Sequence, residues 1–348
     1  MNIALVYGGC SSEHEISCMS AKTIFGALDP AKYQVTLIFI TKEGQWKKVD
    51  QVRDYTPEEC KDFPTAVVIP SHETDNCLIL EEPVVRTHID VAIPVLHGLG
   101  GEDGTIQGLF ELAGIPYVGC GVLASAVAMD KITAKKVVQP LGIRQAQYVD
   151  VYRHELSTMD QVIGRVEEKL SYPVFVKPSN AGSSVGVTRV DRREQLADAL
   201  QLAAQHDSRI LVEETIVGHE VECAVLGNLD VGATRVGEIL AADSFYTFDA
   251  KYNNPESQTV IADYLPEETI QEIRKDAVRI FKALDGSGLA RVDFFVEEKT
   301  GAVVFNEINT FPGFTSISMY PTLWIHEGYT IESLVDRLIS LAVERKQA

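Results

Sequence analysis

The sequence predicts an α/β protein that opens with a parallel sheet, and three observations lead there. Strand-like and helix-like stretches alternate from residue 1 to about 120. Two apolar strands further on, YPVFVKP and VGVTRV, are joined by a loop of small residues. Near the C-terminal end, ARVDFFV and VVFNEIN flank the polar turn EEKTG and read as a hairpin. With 348 residues, 45% of them hydrophobic, the chain can bury a large core and is long enough for two or three domains.

The first alternation runs IALVYGG, a helix from about Ser12, YQVTLIFIT, VAIPVLHG, a helix from near Thr105 and IPYVG. In an open parallel sheet ligands gather beyond the carboxyl ends of the strands, which singles out GGCSSEHE and LHGLGGEDG. Residues 41 to 90 read as polar and irregular, without chemistry. LASAVAMDKITAKKVVQPLG reads as one helix leading into the second section, which also holds the helix REQLADALQLAAQ and the strand RILVEE. The third section has the strand VECAVLG, the polar stretch SFYTFDAKYNNPESQ and the helix PEETIQEIRKDAVRIFKALDG. That helix places Ile270, Ile273, Ala277, Ile280, Phe281 and Leu284 on one face and stops at Gly286.

A net charge of -19 and a pI near 4.8 argue against nucleic acid or an anionic membrane as partner. The six cysteines are scattered without a CxxC, so neither a zinc framework nor disulfides are expected. No signal peptide and no membrane-spanning run is read, and the expected compartment is the cytoplasm.

The chemistry concentrates in FNEINTFPGF. At the two-residue period of a strand Glu307 and Asn309 share a face, and counting back through the turn sets Asp293 opposite Glu307. Two facing carboxylates repel unless a cation lies between them, and two acids with an amide suit magnesium. For phosphate, GCGVLA at 119 to 124 matches GxGxxA, but no acid follows at about 20 residues, and an ordinary strand-to-helix turn explains it equally. VKPSNAGSSVGV offers backbone amides beside Lys177, though a flexible hairpin would look the same. Lys131 and Lys251 are further candidate cations.

In order and spacing, KPSNAGSSVGV, VEETIVGHEVECAVLG, DAKY, ARVDFF and NEINTFPGFTS resemble an ATP-grasp ligase. With GGCSSEHEIS, LHGLGGEDGTIQG and VGCGVLASAVAMDK ahead of them, the chain resembles the D-alanine:D-alanine ligase family from end to end, residues 41 to 90 apart. The resemblance implies an ATP-grasp fold preceded by a parallel-sheet, Rossmann-like N-terminal domain. Its domains would be 1–121 (substrate), 122–212 (central ATP-grasp subdomain) and 213–348 (C-terminal subdomain with metal site and closing loop). It implies ATP as substrate, two magnesium ions with manganese as the alternative, D-alanine as the small-molecule partner, and a homodimer.

The resemblance also assigns residues. Asp293, Glu307 and Asn309 would hold the metal ions. Lys131, Lys177 and Lys251 would meet the phosphates, Glu213 and Ile216 the adenine, and Glu220 the ribose, with Ser184 and Glu214 among the further ATP contacts. Arg291 and the Gly313 amide would face the developing oxyanion. Glu13 would bind the first ammonium group and join Ser183 and Tyr252 in a hydrogen-bond chain, and His97, Ser318 and Met319 would sit beside the second substrate. Tyr252 and Met319 favour D-alanine there. The alternatives are ligation to D-lactate or D-serine, and a nucleotide-binding regulator without catalysis.

Overall fold

The structure, a computed structural model, describes residues 1–71, 75–80, 83–182, 185–240 and 258–347. The apolar run after Met1 forms β1 (Asn2–Gly8), buried because it lies inside its sheet. β1 pairs in parallel with β2 (Gln34–Ile40), after the intervening helix α1 (His14–Ala27). Beyond β2 come β3 (Trp46–Val49), β4 (Thr65–Val68), β5 (Cys77–Leu80) and β6 (Val85–Thr87), all antiparallel to their neighbours. On the other side β7 (Val91–Val95) is parallel to β1, and α2 (Thr105–Ala113) follows. The sheet is therefore mixed, with a parallel centre and an antiparallel wing.

That wing corrects the expectation of irregular chain over 41 to 90. Its strands are only three or four residues long, too short for a two-residue alternation to stand out in the sequence. IPYVG contributes a single parallel bridge, Ala92 to Tyr117, rather than a strand. The expected single helix after residue 122 is two, α3 (Val122–Met129) and α4 (Lys131–Val138). Asp130 between them leaves the helical region and accepts the Thr133 amide at 2.7 Å, an N-cap that restarts the helix.

The second sheet, order β10-β9-β11-β8, is antiparallel: β8 (Tyr148–Tyr152), β9 (Val174–Pro178), β10 (Thr188–Val190) and β11 (Arg209–Glu214). α5 (Met159–Glu167) and α6 (Leu196–His206) share its core through Val162, Val166, Leu196, Leu200 and Ala203. The third, order β14-β13-β12-β15-β16, comprises β12 (Gly218–Gly227), β13 (Val231–Leu240), β14 (Gln258–Ile261), β15 (Gly288–Glu297) and β16 (Val303–Asn309).

Alternation along β12 builds two cores. Val221, Cys223 and Val225 pack with α7 (Glu267–Ala283), which turns Ile270, Ile273, Ala277, Ile280 and Phe281 inward. Ala124 and Ala128 of α3 join this cluster, so residues just after 121 pack on the third sheet. Ala224 and Leu226, on the opposite face, belong to a core shared with Ile3, Leu5 and Tyr7 of β1. The same core takes in Met319 and Leu323 of α8 (Met319–His326) and Leu334, Leu338 and Leu341 of α9 (Ile331–Gln347). Among the described residues no helix is long and apolar enough to cross a membrane.

Candidate active site

A cavity of about 520 Å³ brings together residues of the second and third sheets with the loops that follow β1 and β7. One end is a set of compensated charges. Lys177, on β9, pairs with Glu213 at the end of β11, because those strands are neighbours in antiparallel register. The second oxygen of Glu213 lies 3.2 Å from Lys135 Nζ, and both Lys135 and Glu213 are buried. Burial pushes the Glu213 carboxyl up, but the two ammonium groups overrule it and bring it down to about 2. Burial works against the Lys177 ammonium, yet Glu213, with Glu307 and Glu220, raises it overall. Glu214, Ile216 and Glu220 line the same end, with Glu214 Oε1 accepting the Gln147 amide at 2.8 Å.

The floor is the β15–β16 hairpin. Its register pairs Asp293 with Glu307 and then slips between Asp293 and Phe294. Such a bulge re-aims side chains, and here Asn306 lines the cavity together with Glu307 and Asn309. Glu307 lies 3.2 Å from Lys131 Nζ, which also donates to the Ala181 carbonyl at 2.8 Å. Asp293 lies deeper, 2% exposed; Arg291 grips it through Nε and a terminal nitrogen at 2.8 and 2.7 Å, and Asn309 Nδ2 donates to it at 3.0 Å. Arg291 Nε also lies 3.0 Å from Glu222 Oε2, and the Arg291 side chain borders the cavity.

The opposite end is built by the first sheet. Glu13 sits at the start of α1, and its Oε2 lies where a side chain on Gly98 or Gly182 would collide with it, at 2.8 and 2.7 Å. The two glycines thus let the β7 loop and the small-residue loop close on one carboxylate. His97 is buried; its Nδ1 donates to the Phe311 carbonyl at 3.0 Å and its Nε2 meets Ser20 Oγ at 3.1 Å. Ser20 Oγ in turn accepts the Phe314 amide at 3.0 Å. Burial pushes the His97 imidazole down, against the pull of Glu13. Glu102 accepts the Gly98 amide and the Phe311 amide, both at 2.9 Å, and so ties the N-terminal loop to the turn that carries Gly313. Burial and then Glu13 raise its carboxyl to about 7.

Glu13, His97, Lys131, Lys177, Glu213, Glu214, Ile216, Glu220, Arg291, Glu307, Asn309 and Gly313 all border this cavity. Asp293, Ser318 and Met319 do not. Ser318 Oγ accepts the Thr315 amide at 3.0 Å, and Met319 is 2% exposed in the shared core, its sulfur against Gly237. The helix start turns the Met319 side chain inward, off the lining of this cavity. Ser183, Ser184, Lys251 and Tyr252, and most of the expected closing loop at 243–258, lie outside the described residues. Sequence reasoning missed Glu102, Lys135, Glu222 and Asn306; Glu102 inside LHGLGGEDG, Glu222 inside VEETIVGHEVECAVLG and Asn306 inside FNEINTFPGF stood in stretches already singled out, whereas Lys135 stood only in a predicted helix.

Family models described as D-ala D-ala ligase N-terminus and D-ala D-ala ligase C-terminus match residues 2–120 and 137–340. The D-alanine–D-alanine ligase of Acetivibrio thermocellus is 51% identical over 99% of this chain and 96% of its own length. That of Caldicellulosiruptor bescii is 46% identical over 100% of this chain and 96% of its own length. Among solved structures, the VanG D-Ala:D-Ser ligase from Enterococcus faecalis superposes with a TM-score of 0.86 at 38% identity, covering 98% of this chain and 99% of that one. The D-alanine-D-alanine ligase from Coxiella burnetii gives a TM-score of 0.85 at 35% identity, covering 100% and 95%.

Proposed function

The chain belongs to the D-alanine–D-alanine ligase family, and from that premise we propose that it is an ATP-dependent ligase joining two D-alanine molecules for peptidoglycan synthesis. The observation that carries the reading is one cavity bordered at one end by Glu13 and His97 and at the other by Lys131, Lys177, Glu307 and Asn309. An amino acid held by the first group presents its carboxylate toward a nucleotide held by the second.

The carboxylate oxygen of the first D-alanine attacks the γ-phosphorus, the bond to ADP breaks, and D-alanyl phosphate forms. The amine of the second D-alanine then attacks the acyl carbon, loses a proton, and expels phosphate to leave D-alanyl-D-alanine. Positioning and charge neutralisation dominate such chemistry, so lysines, acids and glycines suffice. Glu13 takes the first ammonium group, Lys131 and Lys177 the phosphates, and Glu213 with Ile216 the adenine. Arg291 and the Gly313 amide face the oxygen that gains charge at the acyl carbon. Lys251 on the γ-phosphate, Ser184 on phosphate, and Ser183 with Tyr252 beside Glu13 complete the proposed set.

Glu307, Asn309 and Asp293 offer an oxygen-only donor set suited to magnesium, and the cations now against the two acids occupy the charge-compensating position an ion would share. When bound, magnesium neutralises charge on the β- and γ-phosphates. We assign residues 1–121, 122–212 and 213–348 to substrate, central and metal-bearing segments, and place the enzyme in the cytoplasm as a homodimer. D-serine is the second reading for the second substrate, favoured by the likeness to a D-Ala:D-Ser ligase.

The test is phosphate release from ATP and magnesium with D-alanine alone, L-alanine alone, and D-alanine mixed with D-serine or D-lactate, with products identified by mass. Release with D-alanine alone and a D-alanyl-D-alanine product is the expected result. Turnover only in a mixture would move the second-substrate assignment, and silence throughout would favour a nucleotide-binding regulator.

A further inference from the structure

In the first turns of α1 and the chain after β3, His14, Cys18 and Asp54 bring a ring nitrogen, a sulfur and a carboxylate oxygen within 4.8 Å of one another. His14 and Cys18 are four residues apart on α1 and therefore share a face, and both are buried. Asp54 comes from the turn after β3, its side chain half exposed. The His14 ring is held between two acceptors: the Gly9 carbonyl 2.7 Å from Nδ1 and Asp54 Oδ1 3.0 Å from Nε2. With Nδ1 turned to the Gly9 carbonyl, Nε2 is the ring nitrogen left facing the Asp54 carboxylate.

We propose that His14, Cys18 and Asp54 form a site for one thiophilic divalent cation of the zinc or cobalt(II) type, distinct from the magnesium site. The donor set is nitrogen, sulfur and oxygen, which suits zinc-like ions and not magnesium. Zinc bonds of roughly 2.0 Å to nitrogen or oxygen and 2.3 Å to sulfur set tetrahedral ligand atoms about 3.3 to 3.6 Å apart. The Nε2–Oδ1 pair, now 3.0 Å apart, would open slightly to reach that, while separations up to the 4.8 Å limit of the cluster would close. The hydrogen bond from Nδ1 to the Gly9 carbonyl fixes the ring with Nε2 toward the ion, the arrangement by which ligating histidines are oriented. One thiolate and one carboxylate neutralise a divalent ion, so the loaded cluster brings no net charge to the buried side of the helix. A cavity of about 280 Å³ bordered by His14, Asp54 and Thr41 leaves room for water in the fourth position. The ion would pin the Asp54 turn to the base of α1, one residue from Glu13.

The experiment uses the full-length protein, freed of metal by chelation and titrated with cobalt(II) in excess magnesium. One equivalent is expected to produce a thiolate-to-cobalt charge-transfer band in the near ultraviolet. Cys18→Ser should abolish the band, Cys10→Ser, at an exposed cysteine, should leave it, and Asp54→Asn should weaken binding by at least about tenfold. Failure to see the band at stoichiometric cobalt overturns the proposal, as does a band that survives Cys18→Ser or disappears with Cys10→Ser. Should Cys18→Ser fold poorly, the exposed Asp54→Asn decides alone: unchanged cobalt affinity overturns the site.

Discussion

The two ends of the cavity handle charge in opposite ways. At the end proposed for the nucleotide, Glu213 lies between Lys135 and Lys177, and Glu307 against Lys131. At the end proposed for the amino acid, Glu13 and Glu102 crowd together, and among the described residues no ion pair supplies Glu13 with a cation. A compensated cluster is already complete and holds its geometry without ligand. An uncompensated one stays unfavourable until an ammonium group arrives, so its binding energy is reserved for the substrate.

If that contrast is right, the largest effect comes from the compensated end. Glu307→Gln should lower kcat by roughly a hundredfold or more at ordinary magnesium, since charge stabilisation at transferring phosphoryl groups is the main term. Near-normal steady-state rates would remove Glu307 from the metal set. Lys135→Met leaves a buried carboxylate with one partner fewer. We expect a stability loss of about 3 kcal/mol, read by chemical denaturation, together with a raised KM for ATP and an unchanged KM for D-alanine. An equal rise in both KM values would show that the two ends are not independent.

Gly182→Ala probes the other end. The added methyl would stand 2.7 Å from Glu13 Oε2, so the carboxylate must shift. KM for D-alanine should rise on the order of tenfold while KM for ATP holds. The smallest effect is a pH slope. The folded protein keeps a proton on Glu102 that the unfolded chain gives up, because the carboxyl stands near 7 instead of its ordinary 4.5. Its stabilising share is complete below about 4.5 and is lost as pH rises through about 7. Melting temperature should therefore fall between those values more steeply in the wild type than in Glu102→Gln, and parallel curves would contradict the uncompensated reading.

The hairpin was legible because its chemistry is local. A turn, two strands and a two-residue period suffice to set Asp293 opposite Glu307, and the structure has that register. Asn306 escaped because a bulge breaks the period that the counting relied on. Lys135 escaped for a related reason: it stands beside Lys136, and only the helix restart at Asp130 sets the phase that buries one and leaves the other in water. Glu102 depends on Phe311, a partner remote in sequence. The antiparallel wing was lost in strands too short to carry a pattern.

The core shared by β1 and α9 bears on how the chain is made. Ile3, Leu5 and Tyr7 pack against Leu334, Leu338 and Leu341, while Lys32 and Tyr33 bond to Asp336 and Arg345 reaches the carbonyls of Tyr117 and Gly119. On a ribosome, β1 emerges early and its wall arrives only when translation nears the end of this sequence. At about 5–20 residues per second that is a wait on the order of tens of seconds. Over that interval the nascent first sheet has α1 over this core but not its C-terminal wall, so holding chaperones are expected to engage it until α9 is released and adds its part of the core.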